Sequence, residues 1–479
     1  MQRSISILLA SILCSAAAAS AARAGNLTTA HFGGEQGNVA SDHPTTIYYN
    51  PAGLALGTGW RLYLEGDIAW RTVDYRRSES AISNIDSAEG EAGTPSGAVG
   101  ANAGKATVSN IAAAPFLGVA TDFGVPNLGV GAAFYVPFGG QATWDKNDDF
   151  EGDTQYPGAV DGPNRWFDIH GQLRSLYVTL AAAYRLPGPR LSFGAGINFT
   201  ESNIWTVRAR TPEGTDDLVG ANGRISEGRS LVDTSGFALA ASAGVNWEPA
   251  PGLWIGASYQ SQPGFGNSTQ SGTLTNKFGT GSTDVTDIRI EQEMPDVYRL
   301  GARYQPMPGL ELRLAGDFQR WSAFEHQCLL DKDANPSAKC QIREDGSAFG
   351  PDAGDIILSI PREWQDTFGV SAGGSYWVIP ALELESGLYF DSSSVPDKTM
   401  EASLPDQNKL FVRAGVRWAA MPDQLLITLA LNNAFYFKRT VDVRTDGAIG
   451  TVAPSTVPDG AGTYKQNVMF LNLGAEYRF

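Results

Sequence analysis

Histidine and cysteine, the side chains that most often carry nucleophilic or metal chemistry, are scarce in this chain of 479 residues, which has four of the first and three of the second. A serine hydrolase needs a serine and a histidine within hydrogen-bond reach. His31 and His43 precede the first strand-like segment, His170 and His326 fall in or beside irregular stretches, and no nucleophile motif accompanies them. The chain is therefore not expected to be an enzyme. Asp145-Lys146-Asn147-Asp148-Asp149 opens like a calcium loop, but the sixth position is Phe150 rather than Gly and the twelfth is Tyr156 rather than Glu. No metal site and no cofactor are expected. Cys328 and Cys340 lie close in sequence and, in an exported chain, read as a disulfide, with two free thiols as the alternative.

The chemistry that remains is electrostatic and apolar, and the elements that position it must be sought in the pattern of the chain. There are 51 acidic and 35 basic residues, a net charge of −16, which is the wrong sign for a nucleic-acid partner. With 18% charged and 42% apolar residues the chain is not disordered either. Residues 1–24 read as a secretory signal: Arg3, then a mostly apolar run over 5–13, then Ala22-Arg23-Ala24 as the cleavage site. That run is too short to cross ~30 Å of hydrocarbon, and Cys14 follows Leu13 rather than a small residue, which argues against lipidation. Later apolar stretches, such as 111–120, are short and broken by Pro or Gly. A soluble periplasmic protein and a β-barrel both remain open at this point.

Alternation of period two dominates residues 59–479. Trp60, Leu62, Leu64, Ile68 and Trp70 alternate with Arg61, Tyr63, Glu65, Asp67 and Arg71, and Leu410, Val412, Ala414, Val416 and Trp418 with Phe411, Arg413 and Arg417. Strands are expected over 60–76, 111–123, 127–138, 172–186, 190–208, 235–248, 252–262, 286–305, 309–324, 364–378, 381–391, 409–419, 423–440 and 466–479. The gaps between them are alternately short, with Pro or Gly turn residues, and long. A sandwich has no reason to keep that rhythm, whereas a bacterial barrel with tight periplasmic turns and long outer loops does. The fold expected is all-β, a transmembrane antiparallel barrel of about fourteen strands. Leu471, Leu473, Ala475, Tyr477 and Phe479 end the chain in an apolar stripe resembling the closing-strand signal read by the barrel-insertion machinery.

Residues 25–58 lack the alternation. They are rich in small residues, with Tyr48-Tyr49-Asn50-Pro51-Ala52-Gly53-Leu54 at their centre. Pro51 fixes its own φ and holds Asn50 out of the α region, and Gly53 permits a positive φ just after. A compact, turn-rich segment tethered to the first strand and centred on Asn50, Pro51, Ala52 and Gly53 reads as an occluding hatch inside the lumen. This stretch, with Gly37-Asn38-Val39-Ala40-Ser41-Asp42 before it, resembles the N-terminal hatch of the FadL family of outer-membrane transporters for long-chain fatty acids and hydrophobic compounds. Asp391-Ser392-Ser393-Ser394-Val395-Pro396 with Leu404-Pro405-Asp406-Gln407-Asn408, Met294-Pro295-Asp296, and Trp321-Ser322 with Phe324 are similar to further hallmarks of that family.

The resemblance implies a bacterial outer-membrane location and passive uptake of hydrophobic molecules, long-chain fatty acids foremost. Ligand would be captured at the outer loops, held in a barrel pocket and released sideways through a kinked third strand. Pro137, Gly139 and Gly140 are where that strand would open, or else where it simply ends. Arg299, Arg303, Arg313 and Arg413 would face the lumen with Glu311, Asp317, Glu383 and Glu385. Any of Arg299, Arg303 and Arg313 could pair with a ligand carboxylate, or with the acids of the wall. Trp166, Phe167 and Phe265, with Trp144, Phe150, Tyr156 and Phe278, form a pool for the outer capture groove. Expected partners are the hydrophobic ligand, outer-membrane lipid and lipopolysaccharide, and the insertion machinery. A family channel for aromatic hydrocarbons and a general porin are the other readings.

Overall fold

The computed structural model describes residues 31–88, 90–279, 281–333, 338–444 and 450–479; the expected signal at 1–24 and the start of the expected hatch lie outside them. Nineteen hydrogen-bonded segments form one closed antiparallel sheet. They make fourteen passes. The first six are continuous: β1 (Arg61–Arg77), β2 (Gly104–Thr121), β3 (Leu128–Thr143), β4 (His170–Leu186), β5 (Leu191–Arg210) and β6 (Gly228–Ala250). The next four are each broken once: β7 (Leu253–Gln260 and Thr269–Phe278), β8 (Asp284–Glu291 and Val297–Met307), β9 (Leu310–Gln319 and His326–Asp331) and β10 (Ile356–Pro361 and Thr367–Ile379). The ring is completed by β11 (Leu382–Asp391), β12 (Lys409–Met421), β13 (Leu425–Tyr436, then Arg439–Val441) and β14 (Gly462–Arg478). β14 pairs with β1 from Arg61↔Arg478 to Arg77↔Gly462, which closes the barrel.

Side-chain polarity is inverted relative to a water-soluble sandwich. Along β1 the buried face carries Arg61, Glu65, Asp67, Arg71 and Arg77, while Ile68 and Trp70 point outward. Leu300, Leu314, Phe237 and Leu473 are each more than half exposed on the same outer band. In water such a band would forfeit about 25 cal/mol for every Å² left uncovered. Among the described residues no helix is long and apolar enough to cross a membrane.

The expected strands are all present, with shifted ends. β2 and β6 begin seven residues earlier than the alternation suggested, because their outer halves carry Gly, Ser, Thr and Asn that mask the period. The larger departure is that β7–β10 do not run straight through. Their breaks, at 261–268, 292–296, 320–325 and 362–366, lie side by side. Asp296 fastens them: its carboxylate accepts from Gln262 N (3.1 Å), Tyr259 Oη (2.8 Å) and Arg320 Nε (2.8 Å), and its carbonyl accepts from Arg320 N (3.0 Å). Arg362 N donates to Glu325 O at 2.8 Å. Pro263 and Pro295 have no ladder donor to offer in these breaks.

The N-terminal segment packs inside the ring. A single helical turn, Thr46–Tyr49, leads through Asn50 into a 3-10 helix, Pro51–Leu56. Asn50 is extended (φ −164°), so Pro51 starts the 3-10 turn without clashing. Gly53 lies within that turn and has no positive φ. It is needed instead for close packing, since a Cβ there would meet Ser41 O and Thr46 Oγ1. The barrel wall makes room in the same way: a Cβ on Gly194 would enter the Pro51–Ala52 backbone, and one on Gly256 the Val39 carbonyl.

Candidate ligand site in the lumen

Asn50 ties the segment to the wall. Its Oδ1 accepts from Ala52 N (3.1 Å), and its Nδ2 donates to Val39 O (2.7 Å) and Val245 O of β6 (2.9 Å). Ser258 Oγ donates to Tyr49 O at 2.6 Å. On the far side of the segment lies a cavity of about 150 Å³, lined by His31, Glu35, Tyr48 and Tyr49 from the segment and by Arg299, Arg313, Asp317, Tyr389, Phe411 and Arg413 from β8, β9, β11 and β12.

The lumenal arginines do not share one fate. Arg303 pairs with Asp42 (2.9 Å) and lies over Trp254 (4.1 Å to the ring centre). Arg313 pairs with Glu311 and also donates to Gln36 Oε1 and Ser375 Oγ, both at 3.1 Å. Arg413 stands 3.9 Å from Glu35 and donates to His31 O at 3.3 Å. Arg299 lies over the rings of Tyr48 (4.4 Å) and Tyr49 (5.7 Å). Among the described residues it has no carboxylate within ion-pair distance, and it lines the cavity. Burial pushes the Glu35 carboxyl up, against the pull of Arg413. Burial also holds His43 down to about 4, so its 3.9 Å approach to Glu476 is not an ion pair at neutral pH.

Nearer the outer loops is a second, smaller cavity of about 70 Å³, walled by Leu173, Ile204, Val232, Leu329 and Ile360, with Phe167 at its edge. Arg208 and the Arg362–Glu401 pair (2.5 Å) supply its charge. Arg208, like Arg299, has no ion-pair partner among the described residues. Buried pairs tie the outer loops down: Arg165 with Glu227 (3.0 Å), and Arg77 at the end of β1 with Asp216 (2.7 Å). Trp166 is buried among these loops, its Nε1 donating to Asn102 Oδ1 at 3.0 Å, rather than standing in an open groove. Phe265 is 62% exposed at the break in β7. Cys328 of β9 and Cys340 of the loop that follows form a disulfide.

β3 is bulged where Pro137 stands: its register against β4 shifts between Tyr135 and Phe138, and Gly139 and Gly140 then pair with Arg174 and Leu173. The strand therefore continues past the Gly pair to Thr143. Its ladder to β2 spans only Phe116↔Tyr135 to Thr121↔Val130. Beyond that, contact passes to Asn110 Nδ2 on Gln141 O (3.0 Å) and Asp145 N on Thr107 O (2.9 Å). The Asp391…Asp406 stretch gains its reason too. Lys409 is fully buried between Asp391 (2.9 Å) and Asp406 (3.1 Å), and Asp406 also accepts from Ser394 N (2.8 Å).

Sequence reasoning did not single out Arg208, Arg362, Glu401 or Trp364. Arg208 alone carried a signal, as a charge on the inner face of an expected strand. The other three lie at or beyond expected strand ends, where facing cannot be read.

A closed barrel with an apolar exterior, a charged interior and a lumen filled by its own N-terminal segment is the architecture of an outer-membrane transport protein rather than an open pore. The family model for the outer membrane protein transport proteins (OMPP1/FadL/TodX) matches residues 7–479, and the chain belongs to that family. It resembles an outer membrane protein of Neisseria meningitidis serogroup B, 23% identical over 411 residues, which cover 81% of this chain and 82% of that one. Among solved structures, a Pseudomonas aeruginosa FadL homologue shares the fold at TM-score 0.71 with 16% identity, covering 93% of this chain and 96% of that one. The Pseudomonas putida toluene transporter TodX does so at 0.62 with 15% identity, covering 95% and 98%. The protein is thus an outer-membrane β-barrel that transports hydrophobic compounds, and not an enzyme.

Proposed function

We propose that the cargo is a long-chain carboxylate, most simply a fatty acid, taken up passively. The observation that carries this reading is Arg299: a guanidinium beside the inner cavity, held over Tyr48 and free of an acid partner among the described residues. A cation left without an anion in a partly apolar cavity invites a carboxylate, whose two oxygens match its donor fork. Arg208 in the outer cavity supports the same reading. An acyl chain gains roughly 0.8 kcal/mol for each CH₂ it removes from water, and the apolar walls of that cavity supply the contact.

The route runs from the loops through the outer cavity to the inner one. Release follows sideways between β2 and β3 beside Pro137, Gly139 and Gly140, permitted by movement of the segment anchored at Asn50, Pro51, Ala52 and Gly53. A lateral exit spares the apolar cargo an aqueous lumen. During biogenesis the Tyr477–Phe479 terminus, with its rings 4.7 Å apart, serves as the recognition element for the insertion machinery. The acidic outer loops contact lipopolysaccharide through divalent ions.

A second reading, aromatic hydrocarbons, is favoured by the rings lining the lumen and by the likeness to a toluene transporter. Growth of a deletion strain separates them. Complementation should restore uptake of oleate; restored growth on toluene without restored oleate uptake would overturn the fatty-acid reading.

A further inference from the structure

β3 and β9 lie six places apart in a ring of fourteen, close to diametrically opposite. Their side chains should be separated by the full bore, yet Phe138 and Trp321 meet edge-to-face at 6.2 Å between ring centres. Two irregularities bring them together: the bulge before Phe138 and the break in β9 that carries Trp321 inward. Trp364, from the adjacent break in β10, packs on Trp321 at 4.9 Å, and Tyr177 backs Phe138 at 6.2 Å. The three central rings are 0–3% exposed.

This bridge stands between the two cavities. Gln319, two residues before Trp321, lines the inner one, while Gln327, six after it, and Arg362, two before Trp364, line the outer one. Trp321 Nε1 donates to Gln319 Oε1 at 3.2 Å, whereas the buried Trp364 Nε1 meets no acceptor among the described residues.

We infer that Phe138, Trp321 and Trp364 form an aromatic septum across the lumen that sorts cargo by cross-section. It passes a single polymethylene chain or one flat ring and holds back wider, fused-ring molecules. Water and ions gain nothing from entering between the rings, whereas a narrow apolar molecule replaces ring–ring contact with ring–cargo contact at little cost. The inference rests on the transport reading above and adds the residues that set its specificity.

The test is uptake of radiolabelled oleate and of radiolabelled pyrene by a deletion strain carrying wild type, W321A, F138A or W321F, each corrected for the empty vector. A heat-shifted band on a gel checks that each variant forms a barrel. The wild type should favour oleate. W321A and F138A should each raise the pyrene-to-oleate ratio by about tenfold, the scale on which pocket size discriminates, and W321F should stay near the wild type. If the wild type moves oleate and both alanine variants form barrels with an unchanged ratio, the septum falls and the transport reading stands. If the wild type moves neither tracer, both fall. Should one alanine variant fail to assemble, the other decides.

Discussion

Asn50 Nδ2 donates to Val245 O at 2.9 Å, a bond between the N-terminal segment and the sixth strand across 195 residues of sequence. The same amide holds Val39 O and, through Oδ1, Ala52 N. One buried side chain thus fixes the turn, the segment's internal fold and its place on the wall.

Asn50→Ala should therefore loosen the segment without unfolding the barrel. It leaves buried polar groups unmet, at about 1–3 kcal/mol each. Planar-bilayer recordings should show frequent brief current bursts where the wild type is quiet, while the heat-shifted band persists. A quiet trace for the variant would refute the anchoring role.

Arg299→Gln should weaken oleate uptake by roughly tenfold or more, since a charged hydrogen bond contributes about 1.5–3 kcal/mol. Toluene entry should be unchanged. Arg303→Gln should behave differently, because Arg303 already serves Asp42 and Trp254. Its loss strands a carboxylate of the N-terminal segment and should read as leakage rather than as weakened uptake. The two variants are compared by concentration dependence of uptake and by conductance.

Replacing Gly139 and Gly140 with valine should stiffen β3 beyond its bulge and reduce uptake. Stopped-flow or radiolabel assays on cells with equal barrel content would measure it. Undiminished uptake would remove this stretch from the exit route.

Through its two histidines acid should favour release of the segment, with Glu35, whose carboxyl burial pushes up, acting in the opposite direction. Burial lowers the pKa of His43 to about 4, with Glu476 opposing and Arg417 and Arg61 assisting, and that of His31 to about 3, with Arg413 and Lys409 assisting. An undocked histidine titrates near 6.5. Between these values the undocked segment binds protons that the docked one does not, so docking is fully favoured above about pH 6.5 and weakens as pH falls toward 4. Current bursts should become more frequent over that window, and His43→Gln should flatten the dependence.

The barrel was legible because its walls are simple: Leu, Ile and Trp at alternate positions face lipid, and the long and short gaps alternate. The breaks in β7–β10 were not. Trp321 and Phe324, similar to family hallmarks, fall like Trp364 within expected strands, yet they turn inward because Asp296, Arg320 and Glu325 satisfy the backbone locally. The facing of Arg299, Arg303 and Arg313 followed from periodicity. Which one remained without an acid did not, since Asp42, the partner of Arg303, comes from a segment with no period to read.

The ladders around the ring differ in length. β14 and β1 are stitched over seventeen residue pairs, β5 and β6 over twenty, but β2 and β3 over six, the shortest among the described strands. A hoop loaded from within yields at its weakest seam. On the proposed exit route, swelling of the bore by a passenger, or a shift of the plug, would be absorbed at one meridian of the cylinder while the remaining circumference stays stiff.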